Sequence, residues 1–534
     1  MTSLDCDPVL QSIFENKYGT LPPIDWRSWF SLASAEDYES LALELSGLSS
    51  VENLSERIQH ERTDPEALTV DVYTYVKFKK NKTPLIFCHT SGTSGGKMSD
   101  LKWYHFSDSL VSQVWAPGMQ AIFQSSGLDS RSSAIIFVPS RNRGDGITHI
   151  NDSPVVKLYS AEFSQRLALS LIKPRSYVLH EFKYYNSVQV LAHVLSLNHV
   201  SVVSAPSSTI LGWASHDTLL NGLKKTLDTV PDDPKTRELA AEIHRKGLEK
   251  AVDDIQARLS DILSEATLIF STTSLSARDW VKIREFLHWK AGSERVTNLY
   301  VGSEVGPFAA SISEDPATVS RETMFVFPLT LPTMYGPSGF SPISRTEQGM
   351  GTLFVSRVHE GYPLININTG DIITLKGFEC LPVIGSEILR APFPLKMQVS
   401  ISPEAGISQG SLFVGEYFDF GDFLMKNPRE LLTCMINTCD LDRSASLLMV
   451  KKEFGWEIVV PSPYADIDIL SCLGSCPGGI PLLEAIQDHH LRLKIVGKNP
   501  VISAVSRPEL LQKVRAGELP KGILKRWPLY VKYQ

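Results

Sequence analysis

Cysteine is scarce in this chain: seven among 534 residues, an odd number, with no two spaced as CxxC. That scarcity argues against a disulfide framework and fits a reducing compartment. Cys434/Cys439 and Cys472/Cys476 could be read as four metal ligands, but neither pair has the usual zinc spacing, so buried free thiols are expected. Long hydrophobic runs are missing too. A bilayer span needs ~20 consecutive apolar residues, and the best candidate, 190–206, is broken by His193, Asn198 and His199. The opening MTSLDCDPVLQ lacks the basic stretch and apolar core of a secretory leader, so a cytoplasmic location is expected. Positive charge is in deficit, and the net charge of −7 makes no electrostatic case for nucleic acid or an anionic membrane as the main partner. Internal repeats and low-complexity segments are absent.

What is present is a chain long enough for more than one domain. Strand-like apolar runs at Ala134–Val138, Val200–Ser204, Ala266–Phe270 and Thr352–Ser356 alternate with helical patterns, which predicts an α/β architecture. From Arg237 to Leu263, Leu239, Ile243, Leu248, Val252, Ile255, Leu259 and Ile262 recur at helical steps after the turn PDDP, which predicts one long amphipathic helix covering a sheet. Toward the end, short strands at Leu447–Val450, Glu457–Val460 and Leu493–Val496 surround a helical segment near Leu482–Ile486. This predicts a large N-terminal α/β domain over 1–385 and a smaller α+β domain over 386–534.

The segment FCHTSGTSGGKMS at 87–99 joins an apolar strand to a run of glycines and hydroxyls. A Walker loop would need four residues between its glycines and a hydroxyl after its lysine; Gly92 and Gly96 are one residue too close and Met98 follows Lys97. Gly92-Thr93-Ser94-Gly95-Gly96 fits the GxSxG elbow of a serine hydrolase with Ser94 as nucleophile, although Gly95-Gly96-Lys97 is a poor helix start. A third reading is a loop that wraps the phosphates of ATP. Backbone N–H groups and the hydroxyls of Thr90, Ser91, Thr93 and Ser94 would donate to phosphate oxygens, and Lys97 would add charge. A plain Ser/Gly-rich turn remains the non-functional alternative.

Two later segments bear on the choice: NLYVGSEVGPF at 298–308 and PLININTGDIITL at 363–375. With the loop, in this order, they resemble the adenylate-forming enzymes: acyl- and aryl-CoA ligases, adenylation domains and their relatives. The resemblance implies a large adenylation domain followed by a smaller mobile domain that carries a catalytic lysine. It implies that Tyr300 faces adenine, that Gly302 and Ser303 lie beside the phosphates and the acyl group, and that Glu304 is the Mg2+ ligand. It implies that Asp371 accepts from the ribose hydroxyls. Ser271, Thr272 and Thr273, in ATLIFSTTSLSARDW, match the turn that borders the acyl group.

The match has departures. Ile367-Asn368 stand where that family usually has Tyr-Arg, and Arg390 is a stand-in for its hinge arginine. The terminal lysine motif is compressed in GELPKGILKRW, where Lys525 is preferred to Lys521. The early loop, and the long separations of Ser91 from Tyr300 and of Asp371 from Lys525, place the resemblance near the phenylacetate–CoA ligases and the acyl acid–amido synthetases. The implied activity is ATP-dependent activation of a carboxylic acid to an acyl-adenylate. The acyl group would then pass to the thiol of CoA or a carrier protein, or to an amine. A nucleotide-binding relative without catalysis and the Ser94 hydrolase are the alternatives.

Overall fold

The computed structural model describes residues 8–27, 51–79, 83–90, 101–142, 144–271, 277–312, 323–327, 329–336, 339–342, 349–357, 359, 364–375, 380–383, 386–392, 395–398, 411–414, 417–419, 423–426, 428–438, 441, 447–462, 469–476, 478–497 and 529–533. β1 (Leu85–His89) and β2 (Trp103–Tyr104) form an antiparallel pair, and β3 (Ser133–Val138) begins the largest sheet. β4 (Gly146–Ile150) and β5 (Ser153–Tyr159) form a hairpin whose second arm lies parallel to β1, giving a sheet ordered β2-β1-β5-β4. β6 (Ser176–Glu181), β7 (Val202–Ser204), β8 (Thr267–Ser271) and β9 (Val296–Gly302) join β3 in parallel. β10 (Gly306–Ala310) folds back antiparallel on β9, and β11 (Thr323–Val326) follows it.

An antiparallel run of β12 (Thr330–Gly336), β13 (Gly339–Pro342), β14 (Gly349–Arg357) and β15 (Leu364–Leu375) builds a second large sheet. β16 (Cys380–Val383) and β17 (Ser386–Pro392) pair with each other, and β17 pairs with β11, completing the nine-stranded sheet. β18 (Leu395–Gln398), β19 (Ser411–Val414), β20 (Tyr417–Asp419) and β21 (Leu424–Lys426) extend the β12–β15 sheet. β22 (Leu447–Lys451), β23 (Trp456–Pro461), β24 (Leu491–Val496) and β25 (Leu529–Tyr533) form the last sheet, ordered β24-β23-β22-β25.

Burial on both faces explains the apolar runs. In β3, Ala134, Ile136 and Val138 enter one core while Ile135 and Phe137 enter another. Parallel strands covered by helices on both sides read as continuous hydrophobic stretches for this reason. Each fully buried Ile or Phe there contributes ~1.5–3 kcal/mol. The first core takes helices Pro8–Tyr18, Ala116–Ser125 and Ser160–Ile172; the second takes Val188–Leu195, His216–Thr226 and the charged helices after residue 233.

Those last helices correct the sequence reading of 237–263. Asp233 caps a helix at Pro234–Lys246, a second runs Leu248–Leu263, and Gly247 breaks them at φ +83°. The apolar spacing survives the break because both helices pack on the same core. A third, separate core runs from Phe423 to Leu491 and lies under the last sheet. Here the expectation of free thiols also needs correction. Cys434 and Cys476 form a disulfide across a sequence separation of 42 residues, with Cα atoms 5.6 Å apart, joining helix Pro428–Thr438 to the chain just after helix Ile469–Ser475. Cys88 is free and buried. Among the described residues no helix is long and apolar enough to cross a membrane.

Candidate active site

β1 is buried at every position, with Leu85 and Phe87 facing one core and Ile86 and Cys88 another. It ends at His89, which pairs with Trp103 of β2 and with Tyr159 of β5. Beyond it the Thr90 N–H reaches the Lys102 carbonyl at 3.4 Å. β1 and β2, the strands on either side of the glycine-rich segment, pair antiparallel. Ser91, Gly92, Thr93, Ser94, Gly95, Gly96 and Lys97 themselves lie outside the described residues.

The root of that segment is polar and buried. The His89 ring lies between Trp103 and Tyr159, with centroids at 4.8 and 4.1 Å. Its Nδ1 is 2.7 Å from the Thr90 carbonyl and its Nε2 is 3.2 Å from Asp145 Oδ2. Asp145 also accepts the Asn142 N–H at 2.6 Å, which folds the connection after β3 against the loop root.

The second sequence motif forms the turn between β9 and β10. Gly302 and Gly306 face each other across it, leaving Ser303, Glu304 and Val305 at the tip. Both glycines sit in close quarters. A Cβ on Gly302 would stand 2.7 Å from Val305 Cγ2. Gly306 adopts φ +73°, and a Cβ there would meet the Trp115 indole nitrogen at 2.7 Å. Tyr300, at 8% exposure, packs its ring on Phe308 with centroids 4.1 Å apart.

Two hydrogen bonds tie this turn to the loop's sheet. Tyr104 Oη, on β2, donates to Glu304 Oε1 at 3.0 Å. Ser160 Oγ, one residue past β5, shares a hydrogen bond with Ser303 Oγ at 2.8 Å. β5 and β9 both end here, so the carboxyl ends of two parallel systems converge, as they do at crevices that bind ligands in open α/β sheets. Arg357 adds a third tie. Fully buried at the end of β14, it donates from Nε to the Val305 carbonyl at 2.7 Å and from its other nitrogens to the Pro307 carbonyl and Thr330 Oγ1. β14 is thereby tied to the same turn, and Asp371 lies on its partner β15, several residues along from the end opposite Arg357.

Beside the site one buried carboxylate is held by two guanidiniums. Glu162, fully buried, accepts from Arg141 Nε at 3.1 Å and Nη2 at 2.6 Å, and from Arg166 Nε at 2.9 Å. Burial alone would raise its pKa, but the two guanidiniums overcome that and hold the carboxyl below its ordinary value. Burial pushes the Tyr159 phenol up, and the Cys88 thiol well up, so neither is an accessible nucleophile.

The remaining sequence candidates are placed less fully. Asp371 lies on β15 opposite Met397, Arg390 on β17 opposite Phe325, and Ser271 closes β8 opposite Leu299. Thr272, Thr273, Lys521 and Lys525 lie outside the described residues. Tyr104, Ser160, His89 and Arg357 escaped the sequence reading. Tyr104 sits in the aromatic run KWYHF, which reads as a core strand, and nothing in sequence links it to a residue 200 positions away. Among the described residues no cluster of three or more His, Cys, Asp or Glu could cage a metal. Glu304 alone still fits Mg2+, a hard cation that takes one or two carboxylates and completes its shell with phosphate oxygens and water.

No protein-family model matches the chain, and no curated protein matches it. Among solved structures it is similar to 2-hydroxyisobutyryl-CoA ligase in an open conformation with 2-HIB-AMP and CoA, at 12% identity and TM-score 0.40 over 92% of this chain and 87% of that one. It is similar to the GH3.15 acyl acid amido synthetase at 12% identity and TM-score 0.42 over 97% of both chains. An amide bond synthetase, McbA from Marinactinospora thermotolerans, is similar at 13% identity and TM-score 0.35, over 75% of this chain and 65% of that one. At these identities and scores the likeness assigns no activity to this chain.

Proposed function

We propose that this protein is an ATP-dependent ligase that activates a carboxylic acid as an acyl-adenylate with release of pyrophosphate. The observation that carries this is the meeting of the loop's returning strand with the Gly302–Gly306 turn, through Tyr104–Glu304 and Ser160–Ser303. It brings a hydroxyl, a carboxylate and the root of a glycine-rich loop to the carboxyl ends of parallel strands.

In this reading the hydroxyls and backbone N–H groups of Thr90 to Gly96, with Lys97, hold the β- and γ-phosphates, and Ser303 donates beside them. Glu304 holds Mg2+, which supplies charge neutralisation. Asp371 and Tyr300 orient the nucleoside, and Ser271, Thr272, Thr273 and Gly302 border the acid. The smaller unit built on the core from Phe423 to Leu491 brings Lys525 to the α-phosphate, and Arg390, on β17 of the nine-stranded sheet, precedes it in the chain. A carboxylate oxygen attacks the α-phosphorus and pyrophosphate leaves. Catalysis is positioning and electrostatic stabilisation of developing charge.

The adenylate then passes its acyl group to a thiol of CoA or a carrier protein. Transfer to an amine, forming an amide, is a second reading, favoured by the long separations of Ser91 from Tyr300 and of Asp371 from Lys525. Isotope exchange between pyrophosphate and ATP, screened over fatty, aryl and amino acids, tests the activation step. Acid-dependent exchange is expected. A folded enzyme that gives none across the panel refutes the proposal.

A further inference from the structure

We propose that Tyr104, on β2, is the positioning residue for Glu304, fixing that carboxylate in the orientation that takes the phosphate-bound cation. The inference rests on the reading of Glu304 given above. Tyr104 belongs to β2, the strand on which the loop returns, and its backbone is set by pairing with Cys88. Its ring is stacked on Phe106 at 6.2 Å, and the residue is 1% exposed. The phenol reaches out of this aromatic packing to Glu304 Oε1 at 3.0 Å.

An ionised carboxylate accepts at about four lone-pair sites. One phenol bond takes a single site on Oε1 and leaves Oε2 for a cation. Oε2 lies toward Gly302, 3.8 Å from where a Cβ there would stand. Hydrogen bonds of this outer kind orient metal-binding carboxylates, and their loss typically lowers metal affinity by about 10–100-fold.

Binding of Mn2+–ATP to the full chain, followed by the enhancement of water-proton relaxation that protein-bound Mn2+–ATP shows over Mn2+–ATP alone, tests this without turnover. Four proteins are compared: wild type, Tyr104→Phe, Glu304→Gln and the double variant. Tyr104→Phe should weaken Mn2+ binding about tenfold or more, while its ATP affinity in EDTA and its thermal midpoint stay near wild type. The double variant should bind no worse than Glu304→Gln, because Tyr104 acts through that carboxylate. Affinity within twofold of wild type in Tyr104→Phe overturns the proposal, as does a Tyr104→Phe effect that persists in full without Glu304. If Tyr104→Phe does not fold, Glu304→Asp draws the carboxylate back from the phenol by one methylene, and unchanged Mn2+ affinity there overturns it equally. A wild-type protein that binds no Mn2+ with ATP brings down the functional reading along with it. Binding by wild type with an insensitive Tyr104→Phe brings down this inference alone.

Discussion

At the residue scale the proposed function rests on two carboxylates, Asp371 and Glu304. Glu304 sits at the tip of a turn closed by two glycines, with one oxygen engaged by Tyr104. Asp371 lies on a strand whose neighbour, β14, is anchored to that turn by Arg357. If Asp371 accepts from the ribose hydroxyls, its loss removes hydrogen bonds to a charged acceptor, worth ~1.5–3 kcal/mol each. Asp371→Ala should therefore weaken ATP binding more than tenfold by calorimetry. An unchanged dissociation constant in the folded variant would remove Asp371 from the nucleotide site.

At the element scale, the β9–β10 turn and the β1–β2 pair decide whether the site exists. Gly306 holds φ +73° against the Trp115 indole. Gly306→Ala should cost about 1–3 kcal/mol in backbone strain alone, with a further cost from the clash. A lowered thermal midpoint together with weakened nucleotide binding is expected, and a midpoint equal to wild type would show that the turn tolerates a side chain.

The aromatic packing behind β1 makes a separate prediction about pH. His105 lies against Phe87 and Tyr75 with Nδ1 3.1 Å from the Ile86 carbonyl. Burial lowers its pKa below the ordinary 6.5, despite that carbonyl. The folded chain then binds fewer protons than the unfolded one between the two pKa values, so stability rises with pH across that window. This contribution is fully present above pH 6.5 and is lost as pH falls through the folded value. Denaturation midpoints should drop on acidification below that point, and His105→Gln should flatten the drop. An equal slope in the variant would place the acid sensitivity elsewhere.

At the scale of the whole molecule, the prediction concerns division of labour between the two expected domains. The core from Phe423 to Leu491 is separate from the two that surround the nine-stranded sheet. If this smaller unit carries the catalytic lysine, Lys525→Ala should cripple adenylate formation yet transfer the acyl group from pre-made adenylate at near wild-type rate. A positive charge at the α-phosphate acts mainly in the transition state of the first step. Lys521→Ala should affect neither step much. Normal adenylation by Lys525→Ala with a crippled Lys521→Ala would move the role to Lys521.

Much of this was legible in the sequence. β3, β8 and β23 announce themselves as short β-branched and aromatic runs because burial on their faces demands it. The segment around Gly302, Ser303 and Glu304 was singled out by its resemblance to a family motif, not as a turn. Tyr104, Ser160 and Arg357 were not. Their roles arise from contacts with residues far away in the chain, and periodicity records only which face of an element is buried. The Gly247 break was hidden because both flanking helices keep one apolar stripe. The Cys434–Cys476 bond was hidden because pairing depends on how two helices pack.

Carboxylate attack on the α-phosphorus of ATP is the central claim, and oxygen transfer measures it most directly. An acid found by exchange is labelled with 18O in its carboxyl group and turned over with ATP and its acceptor. The acyl–adenylate route leaves one carboxyl oxygen on the phosphorus when the acceptor displaces AMP, so mass spectrometry should find AMP carrying a single 18O. Label in inorganic phosphate, with ADP as the nucleotide product, would show attack at the γ-phosphorus and contradict the account.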